Sequence, residues 1–208
     1  MLGLNFEAQG AAGVDLGQHN TLLSYAYAVS RAGGGKSRLS MLDWGGGMGH
    51  YAPLTRGLLP GLALDYTCFD LPLFCEAGRR LLPGDGFLDD PGQALQGRYD
   101  FVLASSSLWY EEAWQDRLSS LAAACRGHLY LTRQLVTETA ASFVAVQRPG
   151  EMGYSTEYLC WILNRAELLL HAERCGLKLL REFYIHPGPG IQGAPEKADY
   201  RGYLFCRA

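Results

Sequence analysis

The stretch from Leu39 to His50, LSMLDWGGGMGH, decides the fold of this chain. It begins as a short apolar run, passes through a glycine-rich turn at 45–49, and leads into a helix predicted from His50 to Leu59. A strand that runs through such a turn into a helix exposes bare main chain, because glycine has no side chain and tolerates positive φ. This unit therefore predicts a small-molecule site at the end of the strand.

The rest of the chain alternates between strands and helices. Strands are predicted at 62–69, 87–88, 99–105, 128–132, 177–185 and 200–206. Helices are predicted from the cap Asn20 to Gly33, from Pro72 to Leu82, from Glu111 to Cys125 with Gly127 as its cap, and from Asn164 to Cys175 with Gly176 as its stop. Such alternation favours an α/β, doubly wound fold with a mostly parallel sheet.

The length and composition favour one domain. The 208 residues, of which 48% are hydrophobic, are enough for a single domain over residues 1–208 with one sizeable core. Residues 1–35 hold a Gly- and Ala-rich lead-in followed by a helix. Residues 133–163 break the rhythm, and we interpret them as an insertion near the substrate edge with an extra strand at 143–147.

The charge and the cysteines argue against several classes of function, namely nucleic-acid binding and metal binding. The net charge is -3, and no run of Lys or Arg provides the basic surface that nucleic acids require, so a small-molecule partner is favoured. The six cysteines are scattered without zinc-ligand spacing, which predicts reduced thiols and no metal. No apolar run approaches the ~20 residues of a membrane span, and we expect a cytoplasmic location.

The spacing of the glycines separates the nucleotide-binding classes. In Asp43-Trp-Gly-Gly-Gly-Met-Gly49, His50 occupies the place of the third glycine of a dinucleotide motif, and no Gly-Lys-Ser/Thr follows as in a phosphate-binding loop. An Asp two residues before alternating glycines resembles the first motif of class I S-adenosylmethionine-dependent methyltransferases. That superfamily uses the turn for the amino-acid part of the cofactor and an acid at the end of the second strand, here Asp70, for the ribose.

A closer resemblance extends over about Leu39 to Ile185. The segments LDWGGGMGHY, ASSSLWYEE, TRQLV, FVAVQ and WILNRAELL resemble a family of methyltransferases found in bacterial surface-polysaccharide gene regions. This resemblance implies a Rossmann-like, seven-stranded sheet with an antiparallel last strand, and S-adenosyl-L-methionine as cofactor. The cofactor-binding residues that follow from it are Asp43, Gly45, Gly46, Gly47, Gly49, Asp70, Leu71, Phe87, Ser105 and Ser106. It implies a reaction class and no particular acceptor.

Two of these assignments have local alternatives. Asp70 precedes Pro72 and could instead cap the helix that begins there. The tract from Ser105 to Tyr110 could line the site, as residues at the carboxyl end of a parallel strand often do, or cap the next helix.

Methyl transfer needs little acid-base machinery, because the sulfonium charge already activates the methyl group and the protein positions the acceptor. A hydroxyl acceptor would still benefit from a base. The catalytic candidates are His50, Tyr110 and Arg133, and the candidates for substrate contact are Tyr110, Arg133, Tyr154, Trp161, Asn164 and His186. Blander alternatives are a first-turn helix residue for His50, a surface salt bridge for Arg133, and packing for the aromatic residues.

The leading hypothesis is metal-independent O-methylation of a small or carbohydrate-linked acceptor, since no carboxylate cluster follows the fourth strand. The alternative is a non-catalytic cofactor-binding or scaffold protein with the same fold, because few obvious catalytic residues are present. An NAD-dependent oxidoreductase is disfavoured by the absence of a Tyr-x-x-x-Lys pair.

Overall fold

The structure of the protein, a computed structural model, describes residues 15–148 and 156–207. Its helices within these ranges are α1 (Leu16–Gly33), α2 (Tyr51–Leu58), α3 (Pro72–Leu81), α4 (Pro91–Gln96), α5 (Trp114–Ala124) and α6 (Arg165–Arg174), with a 3₁₀ helix at Leu108–Tyr110. Its strands are β1 (Arg38–Trp44), β2 (Ala63–Phe69), β3 (Gly86–Leu88), β4 (Tyr99–Ser105), β5 (Cys125–Thr137), β6 (Phe143–Gln147), β7 (Tyr158–Asn164), β8 (Leu177–Pro187) and β9 (Asp199–Arg207).

All of these strands belong to one sheet. The order β3-β2-β1-β4-β5 is parallel throughout, and β9 lies antiparallel between β5 and β8. These seven strands form the predicted doubly wound α/β sheet with its antiparallel last strand. The hairpin of β6 and β7 adds two more strands, so the described sheet has nine.

The end of β5 and the β6–β7 hairpin extend the sheet at its carboxyl edge. β5 continues five residues past the predicted end at Thr132, and its last two residues, Val136 and Thr137, pair in parallel with β7. The predicted strand at 143–147 is confirmed as β6, which pairs antiparallel with β7. The sequence interpretation missed β7, because its run YLCWILN lacks the alternation that marks a half-buried strand.

Two predicted helix caps are wrong. Asp15 caps α1, since its side chain accepts hydrogen bonds from the amides of Gly17 and Gln18 at 2.9 and 3.2 Å. Asn20 lies inside α1, where its Nδ2 donates to the Ile185 carbonyl at 2.8 Å and ties the helix to β8. Gly127 lies within β5 and caps nothing, and a Cβ there would lie 2.4 Å from the Asp100 carbonyl oxygen.

The other helix boundaries agree better with the sequence. The Asn164 side chain caps α6 by accepting from the Glu167 amide at 3.0 Å, and Gly176 follows the helix with φ of 75°. α5 begins at Trp114, three residues after the predicted start at Glu111, and the 3₁₀ helix lies just before this connection at Leu108–Tyr110. The short helix α4 was not predicted.

The sheet is buried on both faces. Along β4, Phe101 and Leu103 pack in one hydrophobic cluster with α1 and α2, while Val102 and Ala104 pack in another with α5 and α6. Side chains alternate between faces along a strand, so a nearly continuous apolar strand supplies both cores. Ligands then have access to the carboxyl edge of the strands. No helix in the described ranges is long and apolar enough to cross a membrane.

Candidate active site

The glycine turn after β1 is held by its main chain. Gly45, Gly47 and Gly49 have φ of 71, 60 and 85°, a region that L side chains rarely adopt. The amides of Gly45 and Gly46 donate to the Phe69 carbonyl at 2.8 and 3.3 Å, which joins the turn to the end of β2. The alternate glycines of the sequence are therefore required by the backbone conformation.

Gly47 differs from the other glycines of the turn in its surroundings. A Cβ would lie 2.4 Å from the Ser107 Cβ at Gly45, 2.5 Å from the Asp43 carboxyl at Gly46, and 2.9 Å from the Phe87 ring at Gly49. At Gly47, no heavy atom lies within 4 Å of that position. The turn is therefore packed from below and open at Gly47.

Asp43 supports the turn from beneath. Its side chain is fully buried, the Tyr66 hydroxyl donates to its Oδ2, and its Oδ1 has no hydrogen-bond partner among the described residues. Burial raises the pKa of Asp43 to about 7; the hydrogen bond from Tyr66 opposes the rise, and the charge of Asp70 adds to it. With no exposed surface, Asp43 does not line the open side of the turn.

Asp70 joins the end of β2 to the open side of the turn. Its Oδ2 accepts from the Gly47 amide at 2.7 Å, and its Oδ1 accepts from the Leu71 amide at 2.7 Å. The N-cap position of α3 is Leu71, without a side-chain cap, so the alternative that Asp70 caps this helix is wrong. Leu71 itself is exposed, beside the Asp70 carboxylate.

The other predicted cofactor residues lie around this core. The Ser105 hydroxyl is 3.1 Å from the Tyr51 hydroxyl. Ser106 has a φ of 53°, unusual for a residue with a side chain, and its buried hydroxyl has no partner in the described part of the chain. The Phe87 ring is 5% exposed and packs against Gly78 and Gly49, so it supports the turn rather than lining a cavity.

The tract after β4 contributes little helix capping. The Ser107 hydroxyl donates to the Trp44 carbonyl at 2.8 Å, and Ser107 makes no side-chain cap of the 3₁₀ helix that follows it. This tract therefore holds the end of β4 against the end of β1.

A cavity of about 950 Å³ opens beside Gly47. Three of the predicted catalytic and substrate residues line it, namely His50, Arg133 and His186. The remaining lining residues are Asp15, Gly17, Gln18, Thr21, Leu22, Met48, Tyr51, Pro53, Leu54 and Phe74. The structure thus brings together side chains from α1, the glycine turn, β5 and β8.

The two histidines of the cavity are set up differently. His50 keeps an exposed edge but lies in the recess, and the partial loss of solvent together with the positive charge of Arg133 lowers its pKa. Its imidazole is therefore neutral at neutral pH. His186 Nδ1 lies 2.7 Å from the Pro187 carbonyl oxygen, which can only accept, so Nδ1 carries a hydrogen and donates it to that oxygen.

Within the described part of the chain, the other residues predicted to contact the substrate do not line this cavity. The Tyr110 hydroxyl donates to Gln147 Oε1 at 2.9 Å, and Trp161 Nε1 donates to the Glu112 carbonyl at 3.2 Å, so both belong to the packing around the β6–β7 hairpin. Asn164 is 7% exposed and uses its side chain as the cap of α6, which corrects its assignment to the substrate. Tyr154 lies outside the described residues.

The sequence interpretation missed the contribution of α1. Its first turn covers the cavity, and a Cβ at Gly17 would lie 2.7 Å from the His186 ring. The signal available in the sequence was Asp15 followed by an apolar helical pattern, which marks a helix that starts earlier than Asn20. Nothing in the sequence indicated that this helix packs against β8.

Solved structures of other proteins, two methyltransferases and LepI among them, share this architecture. A methyltransferase dependent on S-adenosylmethionine from Clostridium acetobutylicum has a TM-score of 0.60 at 10% identity, with 95% of this chain and 94% of that one covered. The mitomycin 7-O-methyltransferase MmcR has a TM-score of 0.57 at 17% identity, with 93% of this chain and 53% of that one covered. LepI, in a complex with S-adenosylmethionine, has a TM-score of 0.56 at 15% identity, covering 86% of this chain and 46% of that one.

At these identities the likeness shows the fold, which is the Rossmann-like methyltransferase fold. No protein-family profile matches the sequence, and no curated protein matches it.

Proposed function

We propose that this protein transfers a methyl group from S-adenosyl-L-methionine to an oxygen atom of a small or carbohydrate-linked acceptor, without a metal ion. The observation that carries the proposal is the open main chain at Gly47, on the wall of a cavity of about 950 Å³ and hydrogen-bonded to Asp70. Ligand cavities span roughly 300 to 1,000 Å³. A cavity at the upper end of this range has room for a cofactor and a small acceptor together.

The residues present fit the cofactor. Each Asp70 oxygen accepts one hydrogen bond from the main chain, which leaves acceptor capacity for ribose hydroxyls. Met48 and Phe74 offer partly exposed apolar surface to an adenine ring beside the open turn. The complex of LepI with S-adenosylmethionine supports the same fold for this cofactor.

When bound, the cofactor supplies a methyl group already activated by its sulfonium charge. The task of this chain is to orient the acceptor and take the proton that an attacking hydroxyl releases. His50, whose lowered pKa favours the neutral imidazole, lines the cavity and is the candidate to accept that proton, and His186 lines the same cavity.

Two further observations support the finer parts of the proposal. No group of three or more His, Cys, Asp or Glu side chains in residues 15–148 and 156–207 is arranged to hold a metal ion. The mitomycin 7-O-methyltransferase MmcR supports oxygen as the methylated atom on this fold.

Calorimetry with S-adenosylmethionine and S-adenosylhomocysteine tests the cofactor assignment. Gly47→Arg is expected to abolish binding, because the side chain would fill the open side of the turn. Gly35→Arg is the matched control: its φ of 74° imposes a similar strain in equally open space, at the far end of β1. Absence of binding by the unaltered protein, or equal binding by the two variants, would overturn the proposal.

Turnover separates the enzyme from the scaffold alternative. We expect S-adenosylhomocysteine to form when the protein is incubated with S-adenosylmethionine and cell-extract glycans, and the Gly35→Arg variant to retain this turnover. Cofactor binding without any turnover would favour a non-catalytic protein.

A further inference from the structure

Arg133 occupies an unusual position in β5. Its φ is 55°, in the left-handed region that residues with side chains rarely adopt. The pairing of β5 with β9 is regular up to Leu131 and resumes at Gln134, so Arg133 lies in a local irregularity of the ladder. β4 ends beside it, where Ser105 pairs with Thr132. Such irregularities redirect a side chain next to active sites, and here the redirected side chain lines the cavity.

Within residues 15–148 and 156–207, the guanidinium of Arg133 makes no ion pair. By contrast, Arg165, Arg117 and Arg201 each pair with a glutamate. The acid on the cavity wall among these residues is Asp15, whose Oδ1 already caps the first turn of α1. The surface salt bridge that the sequence left open for Arg133 is therefore absent from the described structure.

We propose that Arg133 binds an anionic group of the acceptor, a carboxylate or a phosphate, and so selects hydroxyl-bearing acidic molecules. This inference rests on the proposed methyl transfer, of which it names the substrate class. The planar guanidinium donates two parallel hydrogen bonds to either kind of anion. Because His50 and His186 line the same cavity, an anion held at Arg133 fixes the acceptor in a site where both imidazoles are present.

Titration calorimetry with three probes of similar size tests the inference: glucuronate, glucose 6-phosphate and glucose. At fixed ionic strength, at least one of the two anions is expected to bind the unaltered protein about tenfold or more tightly than glucose. Preference between the anions then distinguishes a carboxylate site from a phosphate site. If neither anion binds more tightly than glucose, the inference is wrong.

Variants locate the binding. Arg133→Gln is expected to weaken binding of the preferred anion by about tenfold or more, because it removes a charged hydrogen bond. Arg133→Lys keeps the positive charge but not the two parallel donors of the guanidinium. Its affinity for the preferred anion is expected to lie between those of the unaltered protein and Arg133→Gln, which preserves the test if the glutamine variant does not fold. Arg174→Gln, an exposed arginine on α6, is the control and should bind like the unaltered protein. Equal anion affinity in all four proteins would overturn the inference.

The titrations are run with and without S-adenosylhomocysteine, so that the two proposals fail separately. Normal binding of S-adenosylhomocysteine with no effect of Arg133 contradicts only the acidic acceptor. Loss of anion binding on substituting Arg133, in a protein that never binds S-adenosylhomocysteine, contradicts methyl transfer and leaves the anion site in place.

Discussion

The buried carboxyl of Asp43 should make the stability of this protein fall as the pH rises toward neutrality. Asp43 is fully buried, and its folded pKa is about 7, whereas an aspartate in an unfolded chain titrates near pH 3.9. Between these two values the folded state keeps a proton that the unfolded state releases. The free energy of unfolding therefore decreases with rising pH across this window.

The magnitude follows from the two pKa values. Integrating the linkage between about pH 5 and about pH 8 gives a loss of about 2 to 3 kcal/mol from Asp43 alone. Asp43→Asn keeps the shape and an oxygen that accepts from the Tyr66 hydroxyl, but it cannot titrate. The substitution should consequently remove this loss.

Denaturant unfolding at several pH values, followed by circular dichroism, measures the effect. Burial also lowers the pKa values of His50 and His128, which gives both proteins an opposite slope near pH 6, so the difference between them is the relevant quantity. We expect Asp43→Asn to gain about 2 to 3 kcal/mol relative to the unaltered protein from about pH 5 to about pH 8. Asp65→Asn, at an exposed site on β2, is the control and should show no such gain. Parallel curves for the unaltered protein and Asp43→Asn would refute the reasoning.

Two further predictions concern packing. Asn164→Ala should cost about 1 to 2 kcal/mol of stability through loss of the α6 cap while leaving turnover with cell-extract glycans unchanged, and lost turnover in the folded variant would restore its assignment to the substrate. Gly57→Ala, in open space on α2, should stabilise by about 0.5 to 1 kcal/mol, whereas Gly78→Ala should destabilise by about 1 to 3 kcal/mol, because its Cβ would lie 2.1 Å from the Phe87 ring. Equal shifts of the two melting temperatures would contradict this account.

The glycine turn shows what local sequence can predict. Its fold depends on residues adjacent in the chain, since the alternate glycines meet a local demand for positive φ at Gly45, Gly47 and Gly49. Asn164 and Gly176 likewise bound α6 through contacts within a few residues. The parallel direction of the first five strands followed from their alternation with helices, whereas their order in the sheet was not predicted.

The predicted roles of side chains agreed with the structure less often than the predicted strands and helices did, because a role depends on where a side chain points. Asp43 and Asp70 carry the same chemical group, yet one is sealed beneath the turn and the other holds its open side. Tyr110 in the 3₁₀ helix and Trp161 in β7 were candidates for substrate contact, but their hydrogen bonds hold the β6–β7 hairpin in place. Burial and hydrogen-bond partners, which separate these cases, come from distant parts of the chain.

The sequence by itself determined the strand, turn and helix that present bare main chain at Gly47, because short-range steric rules dictate that conformation. Only the tertiary structure decided which groups face it. His50, Arg133 and His186 come together on one cavity wall because β5 and β8 end at the same edge of the sheet, and α1 covers that edge through the bond from Asn20 to Ile185. Contacts between residues 165 positions apart have no signature in local sequence, since they arise from the packing of whole elements.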